Sequence, residues 1–196
     1  MAAGWNFETI PDEEEEHYDV SSGRRRRGPF VLDVSTLGLP INSYVPSFTP
    51  ICADLVKHTA QIVVNAKVVE AATADATSIK IAKGSYVVSG AILGNGSAGA
   101  TVSAINKTNA DYDVLTLAAA FGATLAVGDV LFTAKTAAGK TQAVVANSAL
   151  YENHKVTSGI NNVALLMKAF DIEPDKLVTP FSANDKANLP YFQFNE

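Results

Sequence analysis

From Gln61 to Lys135 the chain alternates between short β-branched runs and clusters that cannot continue a strand. The runs are "QIVVNAKVVE", "TSIKIA", "SYVVSGAIL", "ATVSAIN", "DYDVLTLA" and "DVLFTAK"; the separators are "KG", "GNGSAG", "NKTNAD" and "AVGD". Val, Ile and Thr favour a pleated surface, and Gly, Asn and Asp mark turns. Six such runs in about seventy-five residues predict a mainly β protein built around a small barrel or sandwich. Within "TSIKIA", Ile79 and Ile81 fall on one face and Lys80 on the other. In "DYDVLTLA", Leu115 and Leu117 share a face with Asp113. "TVSAINKTNADYDVLTL" reads as one hairpin, and "AAAFGATLA" as a helical turn before the chain re-enters the sheet at "VGDVLF".

"GNGSAG", residues 94–99, has the G-x-G-x-x-G form of a dinucleotide-binding turn. That function needs a strand before it, a helix after it and an acid about 20 residues on. The following segment carries Thr101, Val102 and Ile105 and then breaks at "NKTNAD", and Asp111 and Asp113 come too soon. Gly94, Gly96 and Gly99 therefore read as glycines of a tight turn between strands, permitting positive φ. "AAGKT", residues 137–141, resembles the end of a phosphate loop, but the first glycine of that motif would be residue 134, which is Ala134.

The flanks of the β region differ in character. Residues 1–30 hold "DEEEEHYDVSSGRRRRGP", in which Glu13, Glu14, Glu15 and Glu16 precede Arg24, Arg25, Arg26 and Arg27; these four are the only arginines in the chain. Such a segment buries too little apolar surface to order by itself, which predicts a charged arm that needs a partner. Residues 31–60 contain Pro40, Pro46 and Pro50 and read as an extended segment. Residues 61–135 form the β module. Residues 136–196 form a C-terminal β segment and tail. There "NNVALLMKAF" fits a helical or a strand face, "SANDKANL" fits one capped helical turn starting at Ser182, and the chain closes on Tyr191, Phe192 and Phe194.

Chemistry is sparse. Cys52 is the only cysteine, which excludes an intrachain disulfide and a cysteine metal cluster, and with Asp54 beside it the thiol reads as inert. His17, His58 and His154 have no second histidine at metal spacing, and they read as solvated, loop or edge residues. Asp111, Asp113 and Asp129 flank strands at turns. The sequence therefore predicts no enzyme, no cofactor and no metal. The net charge of −5, with glutamates so close to the arginines, argues against nucleic acid. The uncharged stretch from Val114 to Gly128 is too short to cross a bilayer, and the N-terminus has neither a basic region nor an apolar run, so a non-secreted protein without membrane contact is expected. Charged residues make up 18% of the chain, below the usual quarter, which suits a protein that buries surface against partners.

The order of the segments is similar to that of the head fiber and capsid decoration proteins of tailed bacteriophages, above all of the crAss-like phages of gut Bacteroidales. The resemblance rests on Tyr44, Val45 and Pro46, on Asp111 through Leu117, and on Leu125, Gly128, Asp129 and Val130, and spans roughly residues 40–196. It implies a non-enzymatic virion protein, a homo-oligomer (dimer or trimer), assembled in the host cytoplasm and seated outside the major capsid protein lattice, where other capsid accessory proteins could also touch it. Residues 1–30 lie beyond the resemblance. Glu13–Glu16, Arg24–Arg27 and Tyr44–Pro46 are the expected capsid-docking residues. The alternative is an adhesin module that binds host-surface glycans through Tyr191, Phe192 and Phe194. On either reading nucleotides are not ligands. Millimolar NAD or ATP should leave the melting temperature unchanged, since a ligand that binds only the native state raises it; a saturable upward shift would restore the nucleotide reading.

Overall fold

The computed structural model describes residues 17–195. In chain order the strands are β1 (Asp19–Arg25), β2 (Phe30–Asp33), β3 (Tyr44–Val45), β4 (Pro50–Asp54) and β5 (Thr59–Ile62), then β6 (Asn65–Lys67), β7 (Ser78–Ala82), β8 (Ile92–Gly94), β9 (Gly99–Asn106), β10 (Tyr112–Leu117) and β11 (Val130–Thr133). There follow β12 (Ser148–Leu150), β13 (His154–Lys155), β14 (Asn162–Val163) and β15 (Leu165–Ile172), a short 3-10 turn, helix α1 (Ala183–Ala187) and β16 (Phe192–Phe194). The fold is mainly β, as the sequence predicts.

Strands β6 to β11 form one sheet in the order β6-β11-β8-β9-β10-β7. It curls until its ends meet: Val68 bridges Ile81, and the Val69 amide donates to the Lys80 carbonyl at 3.1 Å. The alternating residues behave as expected. Ile79, Ile81, Leu115 and Leu117 are buried in the interior with Leu93, Val102 and Leu131, while Lys80 points out and pairs with Glu70 at 2.6 Å. Asp113 shares the buried face of β10, and Lys83 Nζ neutralises it at 2.6 Å. The expected hairpin is present, with Leu115 opposite Ile105 and Leu117 opposite Val102. The helical turn expected at "AAAFGATLA" is absent. That segment runs as bends that drive Phe121 into the core, and the Phe121 and Gly122 amides bond to the Ala76 and Ala74 carbonyls.

The second sheet runs β1-β15-β12-β4-β5-β2-β14, with β16 added parallel to β15. Its strands come from before residue 63 and after residue 147, so the curled sheet is inserted into it in sequence. The charged arm contributes β1, and the proline-containing segment contributes β2, β3, β4 and β5. Pro50 is tolerated because it opens its strand. Consecutive residues of the large sheet go to opposite cores: Leu150 and Leu165 pack with Phe30, Ile51 and Ile62, whereas Ala149 and Leu166 pack with Phe48, Phe181 and Phe192. A sheet covered on both faces reads as a continuous apolar run. That explains why "NNVALLMKAF" carried no clear period; it is strand. Tyr86 packs against both the curled-sheet core and the Phe30 side of the large sheet, and burial pushes its phenol pKa up to about 12.

The two sheets are joined through one buried carboxylate. Ser182 caps α1 as the sequence predicts, and Asp185, three residues on, completes the capping box. Asp185 is fully buried and accepts from the Asn65 side chain at 2.7 Å, the Gln142 side chain at 2.9 Å, the Ala146 amide at 2.7 Å and the Ser182 amide at 3.0 Å. Asn65 belongs to the curled sheet, Gln142 and Ala146 to the segment leading into β12. Removing one of these acceptor oxygens strands buried donors, at a cost of about 1–3 kcal/mol for each group left unpaired. Asp185→Asn is therefore expected to lower unfolding free energy by about 3 kcal/mol. Urea titration checks this, with the exposed Asp75→Asn as a control expected to stay within about 0.5 kcal/mol.

Candidate docking surface

Among the described residues β1 ends the large sheet, with β15 on one side and no strand on the other. Its pairing is irregular: Asp19 is opposite Phe170, Arg24 opposite Lys168 and Arg25 opposite Leu166. The surplus residues between Asp19 and Arg24 bulge outward. The Asp19 carboxylate accepts from the Ser21 amide at 2.9 Å and its hydroxyl at 2.6 Å, and Ser22 Oγ accepts from the Phe170 amide at 2.8 Å. A bulge of this kind keeps an edge from pairing with stray strands.

The arginines follow the bulge. Arg26 is anchored, its Nε donating to Ser148 Oγ at 2.6 Å and Nη2 to the Asn147 carbonyl at 2.7 Å; partial burial holds its pKa below the ordinary arginine value. The Arg25 guanidinium lies 4.8 Å from the centre of the Tyr151 ring. Arg24, Arg25 and Arg27 are exposed. Among the described residues every ion pair uses lysine, and no carboxylate reaches an arginine. A shallow groove of about 280 Å³ opens beside them, lined by Arg26, Arg27, Phe30, Leu55, His58 and Met167. His58 stacks on Phe30 with ring centres 5.0 Å apart, and exposed Leu55 and Val56 rim the same end of the sheet.

Of the other expected docking residues, Glu13–Glu16 lie outside the described residues. Tyr44 and Val45 form β3 against β13. Strand alternation separates them: Tyr44 is 56% exposed with Lys155 Nζ 5.9 Å from its ring centre, whereas Val45 is fully buried. Val45 therefore packs in the core. Pro46 is half-buried, and its carbonyl accepts from Thr49 Oγ1 at 2.7 Å. Of the expected docking residues that are described, Arg24, Arg25, Arg27 and Tyr44 are exposed. The rim of Leu55 and Val56 carried no signal in the sequence, because a turn with two apolar residues looks like part of a core strand.

The remaining chemical candidates have structural roles. "GNGSAG" is the turn from β8 to β9, and Asn95 Oδ1 accepts from the Ser97 and Ala98 amides at 3.0 Å each. Only Gly96 of the three glycines needs positive φ, at 94°. Gly94 and Gly99 are small for another reason: the Gly139 backbone of "AAGKT" lies against them, leaving no room for a Cβ, and the Gly96 amide donates to its carbonyl at 3.0 Å. The two glycine motifs thus fill each other's space. His154 Nε2 is 2.9 Å from Asn161 Oδ1, and the His17 carbonyl accepts from the Glu173 amide at 3.0 Å, so His17 joins the sheet end rather than standing in solvent. Burial, followed by the charges of Asp185 and Asp54, raises the Cys52 thiol pKa, which suits an unreactive thiol. Among the described residues no group of three His, Cys, Asp or Glu side chains could hold a metal, and no helix is long and apolar enough to cross a membrane. Of the terminal aromatics, Phe192 is buried and Phe194 packs on Phe181 at 5.2 Å, leaving Tyr191 exposed.

No curated protein and no solved structure matches the chain. A protein-family model does, the one described as "Head fiber protein", over residues 5–194. The match begins well before residue 40, so it takes in the arginine edge as well as the β region that carries the resemblance. A mainly β chain that family residues span almost end to end, whose glycine motifs serve packing, belongs to the bacteriophage head fiber protein family and is a phage structural protein.

Proposed function

We propose that the chain is a head fiber or decoration subunit seated on the outer surface of the major capsid protein lattice, as a homo-oligomer. The observation that carries this reading is the family match across residues 5–194, joined to an edge strand whose three exposed arginines have no carboxylate partner among the described residues. Guanidinium groups pair with carboxylates in fixed fork geometry, so a row of exposed arginines is suited to an acidic partner surface. Docking goes through Arg24, Arg25 and Arg27, with Arg26 holding the edge in place, and through Tyr44. Neighbouring subunits of the particle, further copies of this chain included, supply the carboxylates, the acidic block Glu13–Glu16 among them. The role needs no catalysis. The glycan-adhesin alternative loses support from the packing of Phe192 and Phe194, because a lone exposed Tyr191 is a poor stacking platform for sugars.

Exposed ion pairs contribute about 0–1 kcal/mol each, so several must act together with apolar contacts. Replacing Arg24, Arg25 and Arg27 with alanine should lower the ratio of this protein to major capsid protein in purified particles by about tenfold. Washing wild-type particles at high salt should lower it in the same direction. Circular dichroism should show an unchanged β fold. Unchanged occupancy would contradict docking through this edge.

A further inference from the structure

The turn from β8 to β9 contains the only Asn-Gly pair in the chain, Asn95-Gly96. The turn needs both residues. Gly96 has a φ of 94°, which favours glycine. Asn95 Oδ1 accepts from the Ser97 amide at 3.0 Å, the Ser97 hydroxyl at 2.9 Å and the Ala98 amide at 3.0 Å, which suits Asn at this position. The same pair is the dipeptide most prone to spontaneous deamidation, because glycine puts no side chain in the way of the reaction. The nitrogen of the second residue attacks the side-chain Cγ of the asparagine and closes a succinimide ring. Asparagine Nδ2 leaves as ammonia, taking up the proton that the attacking amide gives up. Water then opens the ring at either carbonyl, giving Asp or isoaspartate. The first product adds a negative charge to the turn, and the second adds a carbon to its backbone.

In this turn the attacking nitrogen is already engaged. Gly96 is exposed, yet its amide donates to the Gly139 carbonyl at 3.0 Å. Attack on Cγ requires that amide to surrender its proton and turn away from its acceptor, so this bond must break first. The acceptor is firmly placed. Gly139 lies so close to Gly94 and Gly99 that a Cβ on any of the three would collide with backbone. The Gly139 amide donates to the Thr136 carbonyl at 3.0 Å, and the Lys135 amide donates to the Thr141 carbonyl at 2.9 Å, closing the loop 136–141. At the foot of that loop Gln142 forms a β-bridge with Ala134, and its side chain donates to Asp185 at 2.9 Å. The guarding carbonyl is thereby tied to the buried network that joins the two sheets. The donors on Asn95 Oδ1 meanwhile hold the side-chain amide in one orientation. We infer that the Gly139 carbonyl shields Asn95-Gly96 from succinimide formation, so that Asn95 is a latent modification site that reacts only when the loop 136–141 lifts. This inference goes beyond the docking reading and does not depend on it. It bears on a phage structural protein because a subunit built into a particle is not replaced, and a slow lesion accumulates.

Peptide mapping of the full-length protein by mass spectrometry, after incubation at mildly alkaline pH, reads deamidation at Asn95. The folded wild type is expected to react at least about tenfold more slowly than the same protein unfolded in guanidinium chloride, since reaction waits on local opening. Gly139→Ala drives a Cβ into the Ala98 carbonyl and must displace the loop. It is expected to lose most of the protection while circular dichroism keeps its β signature. Hydrogen exchange in the wild type gives a reading that does not need the variant to fold: the Gly96 amide should exchange at least about tenfold more slowly than an unprotected amide. The inference is overturned by a folded wild type that deamidates at Asn95 as fast as the unfolded chain, by a folded Gly139→Ala variant with the wild-type rate, or by a Gly96 amide that exchanges like an unprotected one.

Discussion

A single buried carboxylate organises this molecule. Asp185 gathers donors from the curled sheet, from the segment that returns the chain to the large sheet, and from its own helix cap. A buried carboxyl group is costly unless its oxygens are hydrogen-bonded, and here both are. Each participating segment is thereby fixed relative to the others. The curled sheet is inserted between halves of the large sheet, and without a shared polar centre the two would meet mainly through apolar packing around Tyr86 and Leu37. The carboxylate adds direction to contacts that apolar burial alone leaves unoriented.

The consequence for function is where contact remains possible. The large sheet buries apolar residues on both faces around β12 and β15, and the curled sheet buries its concave face. Sheet edges are further places of contact, and β1 is such an edge. Its bulge blocks backbone pairing, and its chemistry is concentrated in guanidinium groups that partners must approach through side chains. Contacts of that kind are individually weak and sensitive to salt, which suits a protein added to a preformed surface, where many copies act together.

The curled sheet was readable from the sequence because its strands are half-buried. Ile79-Lys80-Ile81 and Asp113 through Leu117 alternate, and Asn and Gly clusters mark their ends. The helix cap at Ser182 was readable too, since capping depends on neighbouring residues. The large sheet was not. Its strands pair over long sequence distances, as Val31 with Thr59 and Ala149 with Leu166 do, and around β12 and β15 cover on both faces erases the alternation that would reveal them. The same reason hides β1 within a segment whose charge reads as an arm: its order comes from β15, nearly 150 residues away. The partner of Asp185 could not be read either, because Asn65 and Gln142 look like ordinary polar residues until folding brings them to one carboxylate. Tyr44 and Val45 show the limit at a single site, since adjacent strand residues must part, and pairing with His154 and Lys155 decides which one is exposed.

The central claim is that this phage structural protein stands on the outside of the capsid with its β1 edge in contact with neighbours. A cryo-electron microscopy map of whole particles, resolved well enough to trace strands, tests it most directly. The account predicts density for both sheets outside the major capsid protein shell, with Arg24–Arg27 facing carboxylates of an adjacent subunit. Density lying inside the shell, or standing outside it with that edge open to solvent, would contradict it.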